Sequence, residues 1–257
     1  MFTAIAVGAV VTLTPASGAA GDIATGFVRA VRQLAVPSRN GQAFAGTPAV
    51  GALFTTSPGR LGQHFCTASV IDSPGGDLAI TAAHCVTGTS GTIEFVPGYD
   101  NGSRPYGVWT VTKVYVDHAW ASSSSPDDDF AFLRIGQPGS GTPVEDETGA
   151  EELATSVPAS RQMVQVIGYP NGSNQAVTCQ NWLRQPMAGQ LEFDCGGYTD
   201  GTSGGPFLSE VDQVTGQGLV IGVIGGYQQG GDTPQVSYSA ELGANAAALY
   251  KTAVAGG

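Results

Sequence analysis

Short segments of strand length, rich in β-branched and aromatic residues, follow one another along most of the chain after residue 47. Examples are AVGALFTT, VWTVTKVYVDH, DFAFLRI and LVIGVIGGY. Valine, isoleucine, threonine and aromatic residues favour strands, whereas the intervening Gly, Pro, Asn and Ser favour turns. A chain of 257 residues with 38 glycines can form a large core with many turns. The pattern therefore predicts an all-β barrel or sandwich.

One segment has the pattern of a helix instead of a strand. The C-terminal sequence AELGANAAALYKTAV is rich in alanine, the best helix former, and its apolar residues lie roughly on one helical face. Residues 137–160 are acidic and rich in Ser and Gly. We expect this stretch to link two halves of the protein, at 41–155 and 156–257.

The first forty residues differ from the rest of the chain. Residues 1–20 contain an apolar run followed by small residues, which is typical of a signal peptide, with a buried strand as the alternative. Residues 21–40 contain three of the ten basic residues. This composition is typical of a pro-segment with basic cleavage sites, or of a disordered leader. The sequence therefore predicts a secreted, extracellular protein that leaves the membrane once the signal is removed.

The charge balance restricts the possible partners. Acidic residues number 21 against 10 basic ones, which gives a net charge of −11. Such a surface repels polyanions, which argues against nucleic acid and anionic membranes as partners. With 42% apolar and only 12% charged residues, the composition is that of a folded protein and not of a disordered one.

The chain has four cysteines, Cys66, Cys85, Cys179 and Cys195. An even number of cysteines in an exported chain predicts two disulfides, for which three pairings are possible. A zinc site is the alternative, but the chain has no CxxC pair and its cysteines are widely spaced. The pattern favours disulfides.

Few side chains of this protein can exchange protons near neutral pH. The three histidines are His64, His84 and His118. His84 follows the apolar segment ITAA and precedes a cysteine, whereas the surroundings of the other two predict packing or surface roles. His84 is therefore the predicted general base.

Three aspartates precede the apolar segment FAFLRI. Asp127 and Asp128 belong to a polar loop and are expected to be solvated. Asp129 adjoins the predicted buried strand, where an unpaired charge is costly. A histidine is one partner that would satisfy this carboxylate.

The segment DGTSGGPF places Ser203 among three glycines. A serine is a weak nucleophile unless a base removes its proton. Glycines allow the backbone N–H groups of Gly201 and Ser203 to point into one small space, where they could stabilise an oxyanion. A Gly-rich turn with an incidental serine is the alternative.

The segments TAAHC, DFAFL and GTSGGP occur in the order His, Asp, Ser. In this order the chain resembles the secreted bacterial chymotrypsin/trypsin-like serine proteases, over roughly residues 45–250. The resemblance implies an all-β fold of two six-stranded antiparallel β-barrels, at 41–155 and 156–257, with a C-terminal helix and a cleft between the barrels. It also implies an endopeptidase that acts on protein or peptide substrates. We expect a monomer that needs no metal or cofactor.

The resemblance assigns a role to each candidate catalytic residue. Ser203 would attack the scissile carbonyl, His84 would take its proton and return it to the leaving amine, and Asp129 would orient the imidazole. Backbone N–H groups of Gly201 and Ser203 would form the oxyanion hole. A non-catalytic binding protein on the same fold and an esterase with the same triad are the alternatives.

The resemblance also implies the disulfides Cys66–Cys85 and Cys179–Cys195. The chain departs from the family at Thr202, where most relatives have an aspartate. In the animal members of the family, this aspartate receives a new N-terminal ammonium on activation. We therefore expect the N-terminus not to act as such a switch here.

Substrate preference depends on a pocket next to the serine. The resemblance implies a pocket formed by Gly197 at its base, Asp200 at its rim, and Gly225, Gly226 and Tyr227 in its wall. Gly197 carries no charge, so strict cleavage after Arg or Lys is not expected.

Overall fold

The computed structural model describes residues 37–57, 60–156 and 161–256. The predicted signal peptide at 1–20 and residues 21–36 of the predicted pro-segment lie outside the described residues. Within the described ranges, no helix is long and apolar enough to cross a membrane.

The described residues form mostly strands, as the sequence pattern predicts. The strands are β1 (Gln42–Phe44), β2 (Val50–Ser57), β3 (Arg60–Ile71), β4 (Leu78–Thr81), β5 (Ile93–Pro97), β6 (Trp109–Val116), β7 (Ala131–Gly136), β8 (Glu152–Leu153), β9 (Met163–Gly168), β10 (Ala176–Trp182), β11 (Arg184–Met187), β12 (Gln190–Asp194), β13 (Pro206–Ser209), β14 (Leu219–Val223) and β15 (Val236–Ala240). The α-helices are α1 (Ala83–Val86), α2 (His118–Ser123), α3 (Val144–Thr148) and α4 (Ala244–Ala255), and 3₁₀ turns occur at Pro126–Asp128 and Tyr227–Gly230.

The first half of the chain forms a closed six-stranded barrel in the order β2-β3-β4-β7-β6-β5. Every neighbouring pair of its strands is antiparallel. Adjacent residues of β7 show why its sequence is apolar without alternation: Leu133 packs in one core cluster and Phe132 in another, and both are fully buried. Side chains of a strand point alternately to its two faces, so both faces of β7 are covered. One closed barrel of the two expected is therefore confirmed.

The expected second barrel does not close, which corrects the prediction of two closed barrels. The second half forms a six-stranded sheet, β1-β10-β9-β13-β14-β8, and a separate three-stranded sheet, β11-β12-β15. At the seam between β14 and β15, the Ser239 hydroxyl accepts the Val223 N–H at 2.8 Å. The Ser239 side chain therefore binds a backbone N–H that would donate to a neighbouring strand in a continuous sheet. The short β8 also pairs with β14 in parallel, so the sheet is not purely antiparallel.

The predicted C-terminal helix is confirmed as α4. Its buried face includes Ala246 and Leu249, which pack in the core with residues of the first barrel. Arg134 of β7 donates to the Ala253 carbonyl at 2.6 Å and also pairs with Asp77. A cation close to the last carbonyls of a helix stabilises its C-terminus.

Glu151 lies fully buried at the junction between the barrel and the second sheet. Its N–H donates to the Val70 carbonyl at 3.0 Å, and its carbonyl accepts from the Asp72 N–H at 2.9 Å. Its Oε2 accepts from the Gly218 N–H at 2.5 Å, whereas Oε1 has no partner among the described residues. Burial raises the pKa of Glu151 to about 7, and the Gly218 hydrogen bond offsets only part of this shift.

Glu151→Gln is expected to change how stability depends on pH. The folded-state pKa of Glu151 lies above the reference value of 4.5, so the folded protein holds the proton more tightly than the unfolded chain. The stabilisation that comes from this tighter proton binding is fully present below about pH 4.5 and is lost as the pH rises to about 7. The free energy of unfolding changes by on the order of 3 kcal/mol over this range. Gln keeps the acceptor for Gly218 and cannot ionise. Urea unfolding between pH 5 and 8 should therefore show a smaller loss of stability in the variant; parallel curves would contradict this.

Candidate active site

His84 lies in α1, the single helical turn that follows β4. Its ring Nδ1 is 2.8 Å from Oδ2 of Asp129, and its side chain keeps 14% of its surface exposed. Asp129 follows the 3₁₀ turn Pro126–Asp128 and lies two positions before Ala131, where β7 begins. Because β4 and β7 are neighbours in the barrel, their ends bring these two side chains together.

The Asp129 carboxylate is fully buried and receives three N–H groups. Oδ1 accepts from the His84 backbone N–H at 2.9 Å, while Oδ2 contacts the His84 ring and accepts from the Gly226 N–H at 2.9 Å. A Cβ added at Gly225 would lie 2.9 Å from the Asp129 carbonyl oxygen and 3.1 Å from Oδ2. The structure therefore places both glycines beside Asp129, and the absence of a Cβ at Gly225 lets its backbone come this close.

The two disulfides join the cysteines as the resemblance implies, Cys66 to Cys85 and Cys179 to Cys195. The first lies beside His84. Cys66, His84 and Cys85 are the one set of potential metal-ligating side chains that the described residues bring within 4.8 Å of one another. Because both sulfurs are engaged in the disulfide, this set offers no thiolate ligands to a metal.

Ser203 lies in a loop whose glycines have left-handed backbone conformations. Gly201 has φ = +95° and Gly204 has φ = +81°. A Cβ at Gly201 would lie 2.6 Å from the Tyr169 carbonyl oxygen and 2.7 Å from the Asn171 nitrogen. Among the described residues, no backbone or side-chain group accepts the N–H of Gly201 or of Ser203. Both donors are therefore available for an oxyanion.

Two buried threonines of the barrel hold this loop in place. The Thr67 N–H donates to the Ser203 carbonyl at 2.7 Å, and the Thr67 hydroxyl donates to the Gly201 carbonyl at 3.0 Å. The same hydroxyl accepts the Tyr169 N–H at 2.9 Å, and Thr81 donates to the Thr67 carbonyl at 2.7 Å. Sequence reasoning missed both threonines. Their only signal is a hydroxyl residue inside an apolar strand segment, CTASVI or LAIT.

Thr202 is buried, and its hydroxyl donates to the Thr199 carbonyl at 2.8 Å. Its carbonyl accepts the Gly205 N–H at 2.9 Å. These local bonds order the turn around Ser203 without a charged partner at position 202.

His84 and Ser203 line one cleft of about 600 Å³, together with Gly201 and Asp200. The Ser203 hydroxyl has no hydrogen-bond partner in the described part of the chain. Contacts between a nucleophile and its base are often long in unliganded enzymes and shorten when substrate binds. The cleft therefore brings together the serine, the histidine and the free N–H of Gly201.

A second cavity of about 500 Å³ lies beside Ser203. Of the residues predicted for the specificity pocket, Asp200 lines it. Gly197, with φ = +98°, faces Gly41 instead. Tyr227 is 39% exposed and packs edge-on against Tyr238.

The cavity is formed by other residues of the same region. Its lining includes Tyr198, Ile224, Gly230, Asp232 and Ser237. Sequence reasoning missed them because the lining depends on how the irregular stretch between β14 and β15 folds back over the loop before Ser203.

The remaining histidines and aspartates lie away from this arrangement, with one correction. His64 is buried and its Nε2 contacts the Ser173 carbonyl at 2.9 Å, and His118 is exposed at the start of α2. Asp127 is exposed as expected, but Asp128 is buried. Ser125 and Asn245 each donate to the Asp128 carboxylate at 2.7 Å, which explains how this charge tolerates burial.

Comparison with known proteins identifies the family. The family model described as trypsin matches residues 38–240, whereas a search of curated proteins finds no match. Solved structures with a similar fold include the protease Anisep from Arthrobacter nicotinovorans, with 23% identity and a TM-score of 0.70 over 84% of this chain and 99% of that chain. A thermostable serine protease, AL20, from an extremophilic microorganism has 25% identity and a TM-score of 0.69 over 82% and 99%.

A third similar structure is a Glu endopeptidase in complex with MPD, with 16% identity and a TM-score of 0.66 over 85% of this chain and 98% of that chain. At this identity the likeness concerns the fold alone. The family match covers well over half of the sequence and includes both halves of the cleft. The chain belongs to the trypsin family of serine proteases.

Proposed function

We propose that the chain is a secreted serine endopeptidase that uses Ser203, His84 and Asp129 as its catalytic triad. The observation that carries this proposal is the position of His84. One ring nitrogen is bound to a buried carboxylate, and the side chain lines the cleft that Ser203 also lines. An imidazole held in this way can exchange a proton with a hydroxyl in the cleft.

The proposed reaction proceeds in two halves. Ser203 Oγ attacks the carbonyl carbon of the scissile bond while His84 Nε2 takes the hydroxyl proton. His84 then gives this proton to the leaving amine, which leaves an acyl group on Ser203. A water molecule, deprotonated by His84, hydrolyses the acyl-enzyme and regenerates the serine.

Two features of the site lower the barrier in this scheme. Asp129 accepts a hydrogen bond from the Nδ1–H of His84, which fixes the tautomer with Nε2 free and stabilises the imidazolium. The N–H groups of Gly201 and Ser203 donate to the oxyanion of each tetrahedral intermediate. One such donor typically contributes about 3–4 kcal/mol to the barrier.

Secretion is part of the proposal. Disulfides persist in oxidising compartments, and both cysteine pairs of this chain are joined. The apolar N-terminal segment is of a kind that directs export. Detection of the processed protein in culture medium, with both disulfides formed, tests this part.

The endopeptidase function is tested by incubating the mature protein with a denatured protein substrate and mapping the new termini by mass spectrometry. We expect cleavage at internal peptide bonds, and none with the Ser203→Ala variant. Hydrolysis of an ester substrate without any peptide cleavage would identify an esterase instead. Absence of both activities would point to a binding protein.

We expect that the mature N-terminus does not act as an activation switch. Thr202 offers no charge to an ammonium group, and an unpaired buried ammonium carries a desolvation penalty of several kcal/mol. Residues at the end of the predicted pro-segment and just after it are bound to the second half of the chain: the Ser38 N–H donates to the Gln180 carbonyl at 2.7 Å, and the Gly41 N–H donates to the Gly196 carbonyl at 2.7 Å.

The test compares mature protein with versions that carry one or two additional residues at the N-terminus. Activity within about twofold of the native form is expected, because Thr202 offers the N-terminal ammonium no charge with which to pair. An extension that abolishes activity, with recovery on its removal, would show that another acid, such as Asp194 or Asp200, receives the N-terminus.

A further inference from the structure

The cavity beside Ser203 has an interior and an entrance of different chemistry. Its interior is formed by the buried residues Tyr198, Ile224 and Ser237, which are 5%, 3% and 1% exposed. We call these three residues the pocket floor. The exposed carboxylates of Asp200 and Asp232 line the same cavity, and we call this pair the pocket mouth. No lysine, arginine or histidine is among the described residues that line the cavity.

Ser237 supplies the free polar group of the pocket floor. Its hydroxyl has no hydrogen-bond partner among the described residues. The other buried hydroxyls of the lining are already engaged: Tyr198 donates to the Val166 carbonyl at 2.7 Å, and Thr202 donates to the Thr199 carbonyl at 2.8 Å. Ser237 lines the cavity, so its free hydroxyl can hydrogen-bond a ligand group that enters there.

The backbone around Ser237 is fixed from two sides. Ser237 lies opposite Phe193 in the β12–β15 pair. Just before this strand, the Gln235 carbonyl accepts the Cys195 N–H at 2.9 Å, and the Pro234 carbonyl accepts the Tyr198 N–H at 3.2 Å. Cys195 is itself tied by a disulfide. The hydroxyl is therefore held by a rigid frame, as selective recognition of a small group requires.

Charge in the cavity disfavours a carboxylate throughout and a cation at the pocket floor. Neither Asp200 nor Asp232 forms an ion pair within the described residues, and Asp232 is bonded only to the Gln228 amide, at 2.5 Å. A carboxylate that enters would approach two anions at the mouth and find no cation inside. An ammonium or guanidinium that reaches the floor would find no anion there, and an unpaired buried charge is costly.

We propose that Ser237 determines specificity by hydrogen-bonding an uncharged polar side chain, with a carboxamide end as in glutamine, on the residue before the scissile bond. This inference rests on the proposed peptidase function. A serine hydroxyl can donate and accept, which matches the carbonyl and amino groups of a carboxamide. A site that hydrogen-bonds its substrate rejects analogues without the group more strongly than an apolar pocket does.

The test uses three peptides that differ only in the residue before the cut: glutamine, glutamate and methionine, which are similar in size. We expect kcat/KM for the glutamine peptide to exceed that of the glutamate peptide about 100-fold and that of the methionine peptide about tenfold. Ser237→Ala should lower kcat/KM for the glutamine peptide about tenfold and leave the methionine peptide within about twofold. Asp232→Asn should raise the rate for the glutamate peptide selectively.

Ser239→Ala is the matched control. Ser239 is two residues further along the same strand, its hydroxyl accepts from Val223, and it does not line the cavity. This variant should keep the wild-type ratios among the three peptides even if its stability falls. A Ser237→Ala variant that lowers all three rates equally would overturn the proposal, as would a wild-type preference for methionine or glutamate. Loss of cleavage for every peptide and for denatured protein would refute the peptidase function itself.

Discussion

Ser203→Ala is expected to lower kcat/KM for peptide cleavage by at least about four orders of magnitude. The substitution removes the nucleophile and leaves the oxyanion donors in place, so a small residual rate over the uncatalysed reaction should persist. The Ser203 hydroxyl makes no hydrogen bond among the described residues. The free energy of unfolding should therefore change by less than about 1 kcal/mol.

Ser123→Ala is the matched control for this variant. Ser123 lies at the exposed end of α2, and its hydroxyl donates to a carbonyl of its own helix. Its replacement should leave kcat/KM within about twofold of the wild type. Near-wild-type turnover by the Ser203→Ala protein would show that this serine is not the nucleophile.

Asp129→Asn is expected to lower kcat by about four orders of magnitude. An asparagine has one carbonyl oxygen and one amino group, whereas Asp129 accepts N–H groups at both oxygens. The amino group would face either the His84 backbone N–H or the Gly226 N–H, which are both donors. If it faced the imidazole, Nδ1 would have to accept, and the other ring nitrogen would then carry the proton and could not act as a base.

The control for this substitution is Asp127→Asn. Asp127 is two residues earlier and exposed, and its carboxylate accepts from the Gln190 amide at 2.7 Å, a bond that an asparagine oxygen can keep. Turnover in this variant should stay within about twofold of the wild type. Retention of high activity by Asp129→Asn, measured on folded protein, would be incompatible with the proposed role of Asp129 in orienting His84.

The parts of the site that could be predicted from the sequence are those in which local chemistry is unusual. Ser203 stands among glycines, His84 is a rare titratable residue after an apolar strand, and Asp129 adjoins a buried strand. At each position the residue type is unusual for the secondary structure around it, and such local conflicts concentrate at functional sites.

The parts that could not be predicted depend on contacts between distant segments. Thr67 supports the Ser203 loop from 136 positions away in the sequence (203 minus 67), and nothing local distinguishes it from other strand threonines. Asp128 likewise depends on a distant segment, because its burial is explained by a hydrogen bond from Asn245 at the start of α4. Asp127 and Asp128 are neighbours in one polar segment, so tertiary packing decides why one is exposed and the other buried.

The open second sheet has the same kind of explanation. The strand pattern predicts that β14 and β15 exist, but it does not show that the Ser239 hydroxyl takes up a backbone donor at their seam. The pocket residues Gly230 and Asp232 also depend on the path of a loop, which has no periodic pattern to read. The resemblance implied Gly225 and Gly226 in that wall, but Gly225 leaves room for Asp129 and Gly226 donates its N–H to the same carboxylate.

The central claim is that Ser203 is a nucleophile activated by His84, and covalent labelling tests it most directly. The native protein would be treated with a serine-directed fluorophosphonate, digested and mapped by mass spectrometry. We expect one modified residue, Ser203, with no labelling after denaturation and a labelling rate at least about 100-fold lower in the His84→Ala variant. Modification of a different serine, or labelling of Ser203 at the same rate without His84, would contradict the claim.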